Sequence, residues 1–455
     1  MGIGQDTSLI RNWRTAGFSV PQQGWTARAA SHPAGGWEGL MKGTVMESKC
    51  RVVSLAAVQA ILRATTRPVL PLLGTLGILV ALGTGAMVLA GQKARLEQKQ
   101  TRPIPAAEFS RMIRDFSEEG GFFMSDNFIS NETSYLHVVG KLRDLGATGG
   151  AYIGVGPEQN FSYIARIRPR IAFIVDIRRQ AMIQQLMYKA LFHISETRVQ
   201  FLSRLLGKPM VRDGLPPRNA PLPELLLYLE KIPETKEAYT ENLAAIRKTI
   251  EKEFQFPLSD TDRSSLEYVF EAFNEAQLNI QFRFGGRGMW GGFQYGRFPS
   301  LRDILLETDL KGEFANFLAR EEDYQFVRDL QRRNRVIPVV GDFAGKKALA
   351  TVAGYLRENG YSLTAFYTSN VEQFLFGNGV FDSFVENVRK MPITDRSLFI
   401  RAFTGGYIRH PARVPGHRLT TVLGRMTVFL EDYDQHLYDD YWTLVTTHFI
   451  SPKDE

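Results

Sequence analysis

The chain has 455 residues, 44% of them hydrophobic and 23% charged, ordinary proportions for a globular protein of two or three domains or of one large domain with insertions. Its formal charge of +7 is carried by the first hundred residues, so the remaining body is neutral and gives no support to a broad nucleic-acid-binding face. The one cysteine, Cys50, precedes the body, which excludes disulfides, thiolate catalysis in the body and Cys-based metal sites.

Residues 1–67 read as a basic N-terminal region without helical or strand periodicity in its first 45 positions, either a disordered tail or a misassigned start ahead of Met46. Between Arg67 and Lys93 come 25 uncharged residues, "PVLPLLGTLGILVALGTGAMVLAGQ". About 20 apolar residues cross a bilayer core, so residues 68–92 are expected to form a transmembrane anchor. A cleaved secretory signal, with "VLA" before Gly91 as its site, and a buried core helix are the alternatives. The flanking Lys/Arg numbers, four before the span and five after it, leave orientation open.

Residues 101–150 form a helical preface, with "AAEFSRMIRDFSEE" and "NFISNETSYLHVVGKLRDLG" as amphipathic helices and Gly146 ending the second. "GGAYIGVG" and "IAFIVDI" are apolar at successive positions, as in parallel strands covered on both faces, and "EQNFSYIARI" suits a crossover helix between them. Residues 181–330 then read as a helical insertion, broken near Ser195 and Pro233, and "FRFGGRGMWGGFQYGRF" is a glycine and aromatic loop. Strands return with "RVIPVVGDFAG" and "SLTAFYTSN" on either side of the helix "KKALATVAGYLRENG", and "SLFIRAF" and "YWTLVTTHFI" are predicted as further strands. The fold class is α/β, a Rossmann-like, mostly parallel doubly wound sheet made from residues 151–180 and 331–455.

In such sheets ligands lie beyond the carboxyl ends of the strands. Four ends carry candidate residues: Gly154, Gly156, Glu158, Gln159 and Asn160; then Asp176; then Asp342 with Phe343; and then Ser369 with Asn370. Asp176 stands 20 residues beyond Gly156, the distance at which an acid on the second strand reaches the hydroxyls of an adenosine ribose. Glu158, by contrast, stands where a dinucleotide would put its pyrophosphate, and its charge disfavours NAD and FAD. S-adenosylmethionine has no phosphate and carries cationic sulfonium and ammonium groups, which a carboxylate attracts. The alternatives are a ligand-free turn, a helix cap or an ion pair with Arg178 or Arg179 for Asp176, and turn chemistry at Asp342 and Asn370. Glu132 and Tyr135 in the preface could close over the pocket or serve only packing. The seven histidines lack close metal-ligand spacing; His410 and His417 flank the loop "HPARVPGH", and no metal is expected.

"AYIGVGPEQN" and "IAFIVDI" resemble the first glycine motif and the acidic second motif of class I S-adenosylmethionine-dependent methyltransferases. Together with "NFISNETSYLHV", "VIPVVGDFAG" and "FYTSNVEQFLF", they are similar to an uncharacterised bacterial family with that fold. The resemblance implies that Gly154 and Gly156 admit the methionine part of the cofactor, that Asp176 binds ribose, that Asp342 lies in the adenine loop, and that Ser369 and Asn370 face substrate. Tyr152 stands where an acid is usual and Glu158 where a third glycine is usual. The reading is a single-pass inner-membrane protein transferring methyl groups to an unknown acceptor, with Glu158 or Asp342 as base. The alternative is a non-catalytic, membrane-tethered ligand-binding or scaffold protein of the cell envelope, exported if the segment is cleaved.

Overall fold

The computed structural model describes residues 99–282, 298–404 and 408–453. The predicted membrane segment 68–92 and most of the glycine and aromatic loop lie outside these residues. Among the described residues no helix is long and apolar enough to cross a membrane.

Helix α1 (Ala106–Phe116) places Phe109, Met112, Ile113 and Phe116 at helical spacing on one buried stripe, and this stripe packs on the sheet. The preface then departs from expectation. Only α2 (Val139–Asp144) of the second predicted helix forms, and residues 127–138 run as irregular chain followed by turns. Long-range hydrogen bonds replace helical ones there: the Tyr135 hydroxyl donates to the Ile304 carbonyl (3.1 Å), and Ser134 pairs with Thr421 (2.8 Å). Gly146, at φ 67°, closes α2 as expected of a C-terminal glycine.

Strand β1 (Ala151–Gly154), helix α3 (Gln159–Ile167) and strand β2 (Ile171–Asp176) follow, the strands buried at every position. A block of helices then fills the crossover from β2 to β3: α4 (Arg179–Ile194), α5 (Arg198–Leu205), α6 (Leu222–Glu230), α7 (Lys236–Lys248) with a π-helical turn after it, α8 (Asp260–Ala276), α9 (Leu301–Leu305) and α10 (Glu321–Arg332). The block is stitched together by Arg198, whose buried guanidinium donates to the carbonyls of Leu318 and Ala319 (both 2.8 Å) and of Arg218 (2.9 Å). One buried cation thereby satisfies carbonyls from connections that lack ladder partners.

The chain returns through β3 (Val336–Val340), α11 (Ala348–Glu358), β4 (Leu363–Ser369), α12 (Val371–Gly377), α13 (Phe381–Arg389), β5 (Leu398–Thr404), β6 (Leu419–Arg425), α14 (Met426–Asp434) and α15 (Tyr441–Thr446). The six strands form one sheet in the order β3-β2-β1-β4-β5-β6. All pairs are parallel except β5 with β6.

One C-terminal expectation is corrected. "YWTLVTTHFI" begins as helix α15, because Asp440 and Thr443 form a capping box and Tyr441, Leu444 and Val445 are buried at helical spacing. Ile450 alone bridges to Leu423. The last strand is instead "LTTVLGR", paired residue for residue with β5 from Leu419 to Arg425.

Candidate functional site

Connections leave β1 towards β2 on one side, while β4 pairs with it on the other, so the carboxyl end of β1 is the switch point of the sheet, where α/β folds open a crevice. The turn there is built by close approach. A Cβ on Gly154 would lie 2.0 Å from the Asn160 Oδ1, so only glycine fits, and Gly156 takes a φ of 80°. Asn160 is the clasp of the turn. Its Nδ2 donates to the carbonyls of Val155 and Pro157 (both 2.9 Å), and its Oδ1 accepts from the Tyr152 hydroxyl (2.8 Å). Tyr152, which replaces the acid of the resembled motif, thus supports the turn from below. From α4, Gln185 donates to the Gly156 carbonyl (2.9 Å).

Above this turn two carboxylates are buried. Glu158, 5% exposed, accepts from the Ser130 amide (3.0 Å) through one oxygen. Glu132, 2% exposed, accepts through one oxygen from the Tyr367 hydroxyl (2.7 Å) and from Ser369. Tyr367 in turn accepts from Gln159 (2.8 Å). Ser369 takes a left-handed φ of 55° at the end of β4, a conformation that costs a non-glycine residue energy and is held by these bonds.

The other polar atom of each side chain has no partner: Glu132 Oε2, Glu158 Oε2, Gln159 Oε1 and Gln185 Oε1. The two amide oxygens are acceptors, and the two carboxyl oxygens are acceptors when ionised. Buried acceptors without donors are costly; these four adjoin one strand end, while others stand on Asn274, Gln277, Glu321, Gln331 and Glu372 elsewhere in the fold.

Burial drives the Glu158 carboxyl up to about 7, opposed by the Ser130 amide and reinforced by the Glu132 carboxylate. Burial likewise raises Glu132, against the hydrogen bonds from Ser369 and Tyr367. A folded-state pKa raised from the ordinary 4.5 means that the folded chain keeps a proton the unfolded chain releases. The contribution is present below the unfolded pKa and is lost as pH rises to about 7, amounting to roughly 3 kcal/mol at 1.36 kcal/mol per unit. Buried His137, lowered to about 4 by burial and by His417, works in the opposite direction between 4 and 6.5. Glu158→Gln is therefore expected to gain stability relative to wild type as pH climbs from about 5 to 8, as read from the difference between two urea-denaturation series. Parallel pH curves would refute the burial of this proton.

Other sequence-predicted residues are placed differently. Asp176 is 5% exposed, and Arg178 occupies both of its oxygens, at 3.1 Å from Nε and 2.9 Å from Nη2. Of the alternatives for this acid, the ion pair with Arg178 is the one formed. Asp342 makes a turn, its Oδ1 accepting from the Ala344 amide (2.9 Å). Phe343 is buried against Phe366 (5.0 Å between centroids) and Phe384 (5.9 Å). Asn370 is half-buried at the start of α12 and makes no side-chain cap there. Glu132, by contrast, belongs to the centre of the cluster. Only its acidity within a helical preface marked it in the sequence, because its partners lie more than 230 positions away. Among the described residues no three His, Cys, Asp or Glu side chains converge as a metal site. Buried His410 bonds the Val445 carbonyl (2.9 Å) and the Ala412 amide (3.0 Å).

A family model described as a domain of unknown function, DUF7790, matches residues 127–210 and 222–444. The match includes every residue of the β1 cluster. No curated protein matches the chain.

Proposed function

Since the chain belongs to the DUF7790 family, whose function is not known, we propose from the site itself that it binds S-adenosylmethionine at the carboxyl end of β1 and transfers the methyl group to an acceptor. The observation that carries this reading is the set of four unpartnered buried acceptors on Glu132, Glu158, Gln159 and Gln185. A ligand matching them must bring donors and positive charge without phosphate. The ammonium group supplies N–H donors and the sulfonium a second positive centre. Two buried carboxylates attract both more strongly than water would.

In the reaction the acceptor's lone pair forms a bond to the methyl carbon while the carbon–sulfur bond breaks and its electron pair returns to sulfur. Glu158, with its carboxyl near neutrality, is the group that would take a proton from the acceptor. Binding a cation beside Glu158 favours its ionised form, so association should release protons below about pH 7 and strengthen as pH rises through that value. Residues 68–92, an uncharged run long enough to span a bilayer, are proposed to anchor the domain in a bacterial inner membrane.

The test is calorimetric titration of the full chain in detergent with S-adenosylmethionine and S-adenosylhomocysteine, in buffers of different ionisation enthalpy. Dissociation constants of roughly micromolar order, with proton release, are expected. Folded protein that binds neither compound would sink the reading. A second reading, a non-catalytic membrane-tethered binding or scaffold protein, is favoured by one observation: Asp176 is already satisfied by Arg178 rather than turned to a ribose. A topology reporter placing the body outside the cytoplasm would select it.

A further inference from the structure

Between α1 and the buried part of the preface, residues 117–124 cross the carboxyl ends of β3 and β2 without secondary structure over most of their length. They are held at separate points. Ser117 Oγ accepts from the Val340 amide (2.9 Å), and the Gly121 amide donates to the Ile177 carbonyl (2.8 Å). The Phe123 ring meets Phe374 of α12 edge-on (5.1 Å between centroids). The strongest point is Glu118. One carboxylate oxygen accepts from the Asp342 amide (2.7 Å) and the other from the Lys347 amide (3.2 Å). The carboxylate thus fills the loop between β3 and α11, as an anion fills a nest of backbone N–H groups.

The segment is also held by Lys347 Nζ, which donates to the Ser117 carbonyl, and by the Glu118 amide, which donates to the Val340 carbonyl (3.0 Å). Phe122 is 88% exposed and Met124 is half-exposed, so its apolar side chains contribute little burial. It sits low on the sheet because of its glycines: a Cβ on Gly121 would come within 2.6 Å of the Ile177 side chain. Just beyond it, Arg178 donates to the carbonyls of Ser125 (2.8 Å) and Asp126 (2.7 Å), which fixes the downstream end. A segment latched at separate points, seated by a glycine and carrying two exposed apolar side chains across the strand ends has the form of a lid.

We infer that residues 117–124 are a lid shut over the β2 and β3 end of the ligand crevice, and that the Glu118 carboxylate in the β3–α11 loop is its latch. This rests on the ligand-binding reading of the β1 end, to which the lid governs access. Releasing Glu118 frees the segment between α1 and Ser125, while residues 125–139 stay largely in the core.

The test is hydrogen exchange by mass spectrometry on the full chain, comparing wild type with Glu118→Gln, whose amide group places donors against the backbone donors of the loop. Exchange across residues 117–124 should accelerate at least tenfold, with the amides of β1 and β4 unchanged; equal exchange in both proteins would overturn the latch. Gly121→Val lifts the seat without touching Glu118 and should give the same local acceleration if Glu118→Gln does not fold. The gate is tested separately through the association rate constant for S-adenosylmethionine, expected to rise at least fivefold in either variant. Accelerated exchange with an unchanged rate constant would overturn it. Binding absent from wild type and variants alike would refute the proposed ligand, and the exchange comparison would still decide the lid.

Discussion

Arg178→Ala is expected to destabilise the folded chain by about 3–5 kcal/mol, because it leaves a buried carboxylate without its counter-ion. Arg178 and Asp176 are both nearly inaccessible, and the guanidinium also satisfies two carbonyls of the preface. Alanine removes every one of these bonds, leaving Asp176 with the backbone amide at position 178 (3.0 Å). Urea denaturation should show a lower midpoint with an unchanged slope. A loss below 1 kcal/mol would mean that water reaches the pair. Replacing both residues by apolar ones of similar volume should cost far less than Arg178→Ala alone, since the main cost is the orphaned charge. The same pair also tests the ribose expectation. If Asp176 turns to a ligand on binding, Asp176→Asn lowers S-adenosylmethionine affinity tenfold or more. Equal affinity in the two proteins would assign Asp176 to the ion pair alone.

Glu132→Ala is the second large effect. Glu132 is the common acceptor for Tyr367 and Ser369, so its loss leaves two hydroxyl donors at the end of β4 without their acceptor, at about 1–3 kcal/mol each. It also removes one of two negative charges from the crevice. Affinity for S-adenosylmethionine is expected to fall by about a hundredfold, the worth of a charged hydrogen bond in a dry site. Glu132→Gln restores an acceptor but not the charge. Recovery of stability without recovery of affinity would separate the electrostatic role from the structural one, whereas full recovery of both would refute a cationic ligand.

Some of this architecture is legible in one dimension. Uninterrupted apolar runs at residues 151–154, 171–175 and 336–340 mark strands buried on both faces, because a parallel strand has no solvent side to alternate towards. The glycines of "GVG" act within a few residues and can be read in place. Asn160 was legible only as a polar residue after a glycine turn. That it is consumed as the clasp of that turn follows from the approach of Gly154, which no spacing encodes. Residues 127–138 read as a helix by apolar period, but distant partners at Ile304 and Thr421 outweighed local propensity. The C-terminal "YWTLVTT" read as a strand by its aromatic and β-branched content until a capping box claimed it for helix. "LTTVLGR" did not stand out, because an antiparallel edge strand is defined by the neighbour it pairs with.

By itself, the sequence determined the α/β class, the strand–helix rhythm on either side of a helical block, the glycine turn and the acid 20 residues beyond it. These are properties of short windows, set by backbone sterics and by the period of apolar side chains. The tertiary structure decided what the polar residues do. It closed Asp176 onto Arg178, sank Phe343 into the core, seated Glu118 in the β3–α11 loop, and brought Glu132 from the preface against Tyr367 and Ser369 from β4. Whether a carboxylate is paired, solvated or left with an empty acceptor depends on the donors that folding carries to it, and those donors come from far along the chain.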